Sequence, residues 1–144
     1  MSAQRSYLSI SGLASSDGCA ILRVSGQLDH HSEHDFLITM GAAVADVHRY
    51  LILDVTALTF CDSRGLNCLL GLHWILDRRG GRLLLAGAGS RLSQLLELTG
   101  SSALLPTYRV VREALQHIPD GHRPIWPPPT PAGEDDDERA RQPG

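Results

Sequence analysis

The 144-residue chain is 42% hydrophobic with a formal net charge of -3, which suits one compact core and is too short for two. Its 13 basic residues are all arginine and form no stripe that could follow a phosphate backbone, so nucleic acid is not an expected partner. No apolar stretch is long enough to span a bilayer. The three cysteines (Cys19, Cys61, Cys68) lack CxxC spacing and no charged-then-apolar leader opens the chain, so the expectation is a cytoplasmic protein.

In chain order, "YLSISG", the turn-like "ASSDG" and "CAILRVSGQL" read as two strands of a hairpin. From Ser32, the residues Phe36, Met40, Val44 and Val47 recur at helical spacing and predict a helix to His48 with one buried face. The short unbroken apolar runs "LILDV" and "RLLLAG" suit strands covered on both sides. Between them, Leu66, Leu69, Leu70 and Trp74 form a helical stripe that ends at "DRRGG", where arginines and a glycine suit a helix C-terminus. Ser90 can cap a short helix whose Leu92, Leu95 and Leu96 face inward, and Gly100 closes it. The apolar patch "ALLPTY" precedes a last helix from Tyr108 to Ile118. A hairpin followed by alternating helices and strands predicts an α/β fold: a mixed, mostly parallel sheet of about four to five strands covered by about four helices.

Composition then changes. Up to Pro119 the chain has ten acids and ten arginines; from Asp120 onward it has six acids and three arginines in a Pro-rich setting. Such a segment lacks the apolar content to offset the entropy of ordering it. The expected organisation is one domain over 5–120 and a disordered tail over 121–144, with "PPPTP" able to form an extended polyproline helix.

The stretch "FCDSRGL" at a strand-to-helix junction holds the chemistry. Asp62 can accept the orphan N–H groups of the helix's first turn, Ser63 can do the same one residue later, and Gly65 lets other backbone approach closely. The same geometry exposes the Ser63 hydroxyl, and a phosphate there would meet free N–H groups and the positive end of the helix dipole. Capping and a chemical switch both fit. A nucleophilic serine fits less well: G-x-S-x-G is absent, and His73 lies about 15 Å along the same helix.

Other groupings carry less. His30 with His34, and His31 with Asp35, have i,i+4 spacing but no second ligand cluster, so a polar helix entry capped by Asp29 or Ser32 is expected rather than a metal site. Gly87 and Gly89 resemble the start of a dinucleotide fingerprint without its third glycine, which fits a tight turn. Asp62 should raise the Cys61 thiol pKa while the helix N-terminus pulls the other way. His73 and Trp74 read as edge and core positions.

Together, "GQLDHH", "LILDVTALTFCDSRGL", "LLELTG" and "VREAL" resemble the STAS domain of bacterial anti-sigma factor antagonists across residues 7–118. The resemblance implies that Ser63, directly after the aspartate, is a phosphorylation site. It also implies a partner-binding face that includes Asp29, Asp62, Ser63, Arg64 and Gly65. In that family the unphosphorylated antagonist binds an anti-sigma factor that is also its serine kinase, with a Bergerat-type ATP site, and so frees a sigma factor. Phosphorylation reverses this, and a PP2C-type phosphatase restores the active form. A non-enzymatic module with no cofactor of its own is expected, since ATP and Mg²⁺ belong to the kinase. The alternative is a STAS scaffold that binds a small ligand or joins a sensory complex without turnover at Ser63. One departure stands out: the family often has a small hydroxyl residue where this chain has Arg64.

Overall fold

A computed structural model describes residues 7–45 and 48–129. Strands β1 (Leu8–Ser16) and β2 (Cys19–Leu28) form the antiparallel hairpin, and α1 (Glu33–Ala45) follows. Next come β3 (Tyr50–Asp54), the short β4 (Leu58–Cys61), α2 (Ser63–Arg78), β5 (Arg82–Ala86) and α3 (Ser90–Leu98). The two-residue β6 (Thr107–Tyr108), α4 (Val111–Leu115) and a 3₁₀ turn over Asp120–His122 complete the order. The sheet runs β1-β2-β3-β5-β6, with β4 pairing beside β2. The two short strands take the sheet beyond the four or five expected, and neither is long enough to leave a periodic signal in sequence.

At the centre, Cys19–Arg23 of β2, Tyr50–Asp54 of β3 and Arg82–Ala86 of β5 pair in parallel register. Alternation divides their side chains between two cores. Ala20, Val24, Leu51, Leu53, Leu83 and Leu85 meet α1, α2 and α3, whereas Cys19, Ile21, Ile52, Leu84 and Ala86 meet α4. Both faces are therefore covered, which is why "LILDV" and "RLLLAG" have no polar alternation.

The helices differ from expectation in detail. Phe36, Met40 and Val44 are buried along α1, as their spacing predicts, while Val47 lies outside the described residues. In α2 the buried line is Leu66, Leu69, Leu72 and Leu76, and Trp74 is 47% exposed rather than core. At 3.6 residues per turn Trp74 lies about 150° from the centre of that line, so a stripe drawn through it is displaced. Gly89, not Ser90, is the N-cap of α3 and supplies no side-chain bond; Ser90 is the first helical residue. Helix α4 is shorter than its segment because Tyr108 is committed to the sheet.

Defined contacts also run past residue 120, into the segment that composition assigns to the tail. The Ser16 hydroxyl donates to the His122 carbonyl, and His122 Nδ1 donates to the Asp17 carbonyl at 2.8 Å. Arg123 Nε donates to the Ile118 carbonyl at 2.7 Å, Pro124 is buried, and Trp126 packs against the α4-side core. A few hydrogen bonds and one indole on the apolar α4 face hold this stretch, a pattern too sparse to read from composition. Residues 130–144, including the acidic run, lie outside the described residues.

Asp54 ends β3 as a buried carboxylate. It accepts from the Thr56 amide at 3.0 Å, the Thr56 hydroxyl at 2.6 Å and Arg23 Nη2 at 3.1 Å. Burial alone would raise its pKa, but the Thr56 bonds and the Arg23 charge outweigh it and hold the carboxyl below its usual value. A lowered folded pKa stabilises the protein above the unfolded value of about 4, and that stability is lost as pH falls through the folded value. Asp54→Ala should therefore cost about 1–3 kcal/mol at neutral pH, a difference that narrows in urea titrations below about pH 4. Trp126→Ala should lower stability by about 1–2 kcal/mol, because a half-buried indole loses its packing; an unchanged urea midpoint would show that the strap adds nothing to the core.

Candidate functional site

The site forms where the chain leaves β2 and where it enters α2. Asp62 adopts an extended backbone at the N-cap of α2, and its Oδ1 accepts from the Gly65 amide at 2.9 Å. The first intrahelical bond, Leu66 amide to Asp62 carbonyl, is also 2.9 Å long. Capping therefore falls to Asp62. Ser63 is the exposed first residue of the helix, and its hydroxyl has no hydrogen-bond partner among the described residues. The two sequence readings separate here: the fold needs the aspartate as the cap and leaves the hydroxyl free.

Gly65 fixes the position of this helix end. A Cβ at this position would lie 2.2 Å from the Leu28 carbonyl oxygen and 3.0 Å from Cys61 Sγ. The obstacle is backbone, which cannot rotate away as a flexible side chain can. The Asp62 amide also points at that carbonyl, at 3.4 Å. Leu28 is the last residue of β2, so this contact brings Asp29, one residue later, beside the first turn of α2.

Asp29 organises the turn into α1. Its Oδ1 accepts from the His31 amide at 2.9 Å and the Ser32 amide at 3.2 Å. The buried Ser32 hydroxyl donates to the Gln27 carbonyl at 2.8 Å and accepts from the Asp29 amide at 3.0 Å. Arg64 then joins the two helix starts, with Nη1 3.0 Å from Glu33 Oε1. The structure thus brings Asp29, Asp62, Ser63, Arg64 and Gly65 to one corner of the domain. Of the two caps that the sequence offered for this turn, Asp29 and Ser32, both take part, while Glu33 as the partner of Arg64 was missed. The opposite charges of "HSEHD" and "DSRG" were the only available sign of the ion pair.

Exposed Phe60, two residues before the cap, was also missed. It lines a cleft of about 320 Å³ with Leu58, Cys61, Arg91 and Leu92, between β4 and the start of α3. Beside it, burial pushes the Cys61 thiol up to about 12, with Asp62 and Cys68 adding to the rise. Cys68 is raised to about 11 by burial first, then by Glu33 and Asp62, with Arg64 opposing. Thiols raised this far are protonated at neutral pH and are poor nucleophiles.

The histidine pairs do not share a helix face, because α1 begins at Glu33 and leaves His30 and His31 in the preceding turn, their rings 3.9 Å apart. Gly87 has φ +77°, and a Cβ there would lie 2.1 Å from Thr56 Cγ2, so close packing of the β5 turn on the β3 turn accounts for this glycine.

A sheet with three helices on one face and one on the other, with a capped serine-bearing helix end at the sheet's rim, defines a class. The STAS domain family model matches residues 13–114, and the chain belongs to that family. It is similar to the "Anti-sigma F factor antagonist" of Paenibacillus polymyxa, at 29% identity over 92 residues, covering 63% of this chain and 79% of that one. The crystal structure of an anti-sigma factor antagonist from Mycobacterium paratuberculosis aligns with a TM-score of 0.66 and 29% identity, over 76% of this chain and 94% of that chain. The Bacillus cell fate determinant SpoIIAA in its phosphorylated form shares the fold, with a TM-score of 0.62 and 20% identity over 77% of this chain and 100% of that chain. Among the described residues no helix is long and apolar enough to cross a membrane.

Gly65→Ala should cost about 1–3 kcal/mol through the forced separation of α2 from β2, and Asp62→Ala about 1 kcal/mol through the lost cap. Chemical denaturation of the two variants checks both. An unaffected Gly65→Ala protein would mean that the helix end can retreat from the Leu28 carbonyl without loss.

Proposed function

We infer that this protein is an anti-sigma factor antagonist whose binding is switched at Ser63. The observation that carries this reading is the division of labour at the start of α2: Asp62 caps the helix and leaves an exposed hydroxyl with no structural duty. The relatives named as anti-sigma factor antagonists support the same reading. In its unphosphorylated form the chain docks Asp29, Asp62, Ser63, Arg64 and Gly65, with the neighbouring Phe60, onto an anti-sigma factor. That partner is also a serine kinase with a Bergerat-type ATP site, and its capture releases a sigma factor in the cytoplasm. The antagonist contributes the acceptor hydroxyl and the docking surface and catalyses nothing itself; ATP and Mg²⁺ are supplied by the kinase.

Physical chemistry gives the switch its direction. A phosphate on Ser63 adds about two negative charges at a helix N-terminus, where the dipole favours them by about 0.3–1 kcal/mol and Asp62 opposes them. The fold is therefore little affected. Against a docked partner the same charges must be desolvated with no counter-charge supplied by that partner, and a penalty of about 3 kcal/mol corresponds to roughly 100-fold in affinity. A PP2C-type phosphatase that removes the phosphate restores binding.

With the partner kinase and ATP present, Ser63→Ala should remain bound while the wild type is released over time. Ser63→Asp should bind at least tenfold more weakly with a nearly unchanged melting temperature, as read by calorimetry. Phosphate mapping of the Ser63 peptide from native cells provides the physiological check. Equal binding by all three forms would overturn the switch and favour a STAS scaffold or ligand-sensing module.

A further inference from the structure

We propose that Arg64 is the residue that senses a phosphate on Ser63, exchanging its ion pair with Glu33 for the phosphate and so carrying the switch from α2 to α1. This rests on the reading of Ser63 as the modified residue. Modification forms the Ser63 Oγ–P bond as the bond from the γ-phosphorus of a nucleoside triphosphate to its bridging oxygen breaks. The diphosphate leaves, and the hydroxyl proton passes to a base of the kinase.

Arg64 follows Ser63 directly in the first turn of α2, and its guanidinium makes one contact, at 3.0 Å, with the carboxylate of Glu33 in the first turn of α1. Its side chain is 62% exposed and that of Glu33 33%, so water screens the pair and either member can leave it. The carboxylates in the turns that meet here are Glu33 and Asp35 in the first turn of α1, Asp62 at the cap and Asp29 in the turn after β2, with His30, His31 and His34 in the same stretch. Asp62 is engaged with the Gly65 amide, and Asp29 with the His31 and Ser32 amides. Among the described residues, only Glu33 holds the guanidinium.

A phosphate dianion next to Arg64 changes that balance. It offers about twice the charge of a carboxylate and three acceptor oxygens, and it suits the two-pronged donation of a guanidinium. Once Arg64 turns to it, Glu33 loses its counter-charge. The surface presented to a partner then changes on both helices, not only at Ser63. In this arrangement Arg64 is a positioning residue in the unphosphorylated form and a phosphate-binding residue in the phosphorylated one.

The full chain can be made with Ser63 phosphorylated during translation, with no kinase involved, and the phosphate titrated by phosphorus NMR from about pH 4 to pH 8, across its second pKa of about 6. Arg64→Ala should raise that pKa by about half a unit, Arg64→Lys should recover part of the difference, and Glu33→Gln should lower it. The Arg64 Nε resonance should move on phosphorylation and lose its dependence on Glu33. Superimposable titrations of the wild type and Arg64→Ala, or an Arg64 resonance indifferent to the phosphate, would overturn the proposal. Because no kinase is used, a chain never phosphorylated in cells would sink the proposed function and leave this result standing.

Discussion

The approach of the Gly65 backbone to the Leu28 carbonyl is the contact on which the site depends. It sets the first turn of α2 against the end of β2, at a distance that no side chain at position 65 would allow. Everything placed around Ser63 follows from it. Asp62 reaches the Gly65 amide because the helix starts there, and Asp29 arrives beside the helix because β2 ends under it. The ion pair of Arg64 with Glu33 then ties the two helix starts together. The corner is built mainly from backbone and short polar side chains, so the fold itself organises it.

Behind that corner the sheet supplies rigidity. The parallel pairing of β2, β3 and β5 is buried on both faces, and their C-terminal ends are closed by short-range contacts rather than by long loops. Asp54 gathers Thr56 and Arg23 at the end of β3, and Gly87 lets the turn after β5 pack on Thr56. The backbone around Ser63 is therefore fixed by the fold, and a charge added there would act on exposed side chains such as Arg64.

The elements were legible where apolar pattern and two-sided burial coincide. "LILDV" and "RLLLAG" suited covered strands and are such strands, and Phe36, Met40 and Val44 marked the inner face of α1. Pattern failed where a few contacts decide. Trp74 shares helical spacing with Leu66 and Leu70, yet faces outward because the buried line runs through Leu69 and Leu76. The strap through His122 and Trp126 is held by bonds to the β1–β2 turn, more than a hundred residues earlier in the chain. Composition averages over a segment and does not register such contacts.

For the site, the sequence alone determined which residues are the candidates. An acid, a hydroxyl, a cation and a glycine at a strand-to-helix junction mark Asp62, Ser63, Arg64 and Gly65, because helix ends have unpaired amides that such residues serve. Tertiary structure decided which of two adjacent oxygens is the cap and which is free, since that depends on where the helix begins relative to the Leu28 carbonyl. It also decided that Arg64 pairs with Glu33. That pair spans two helices whose first turns meet only because β2 and β4 lie side by side, and distance in space between residues far apart in the chain is a property of the packed sheet.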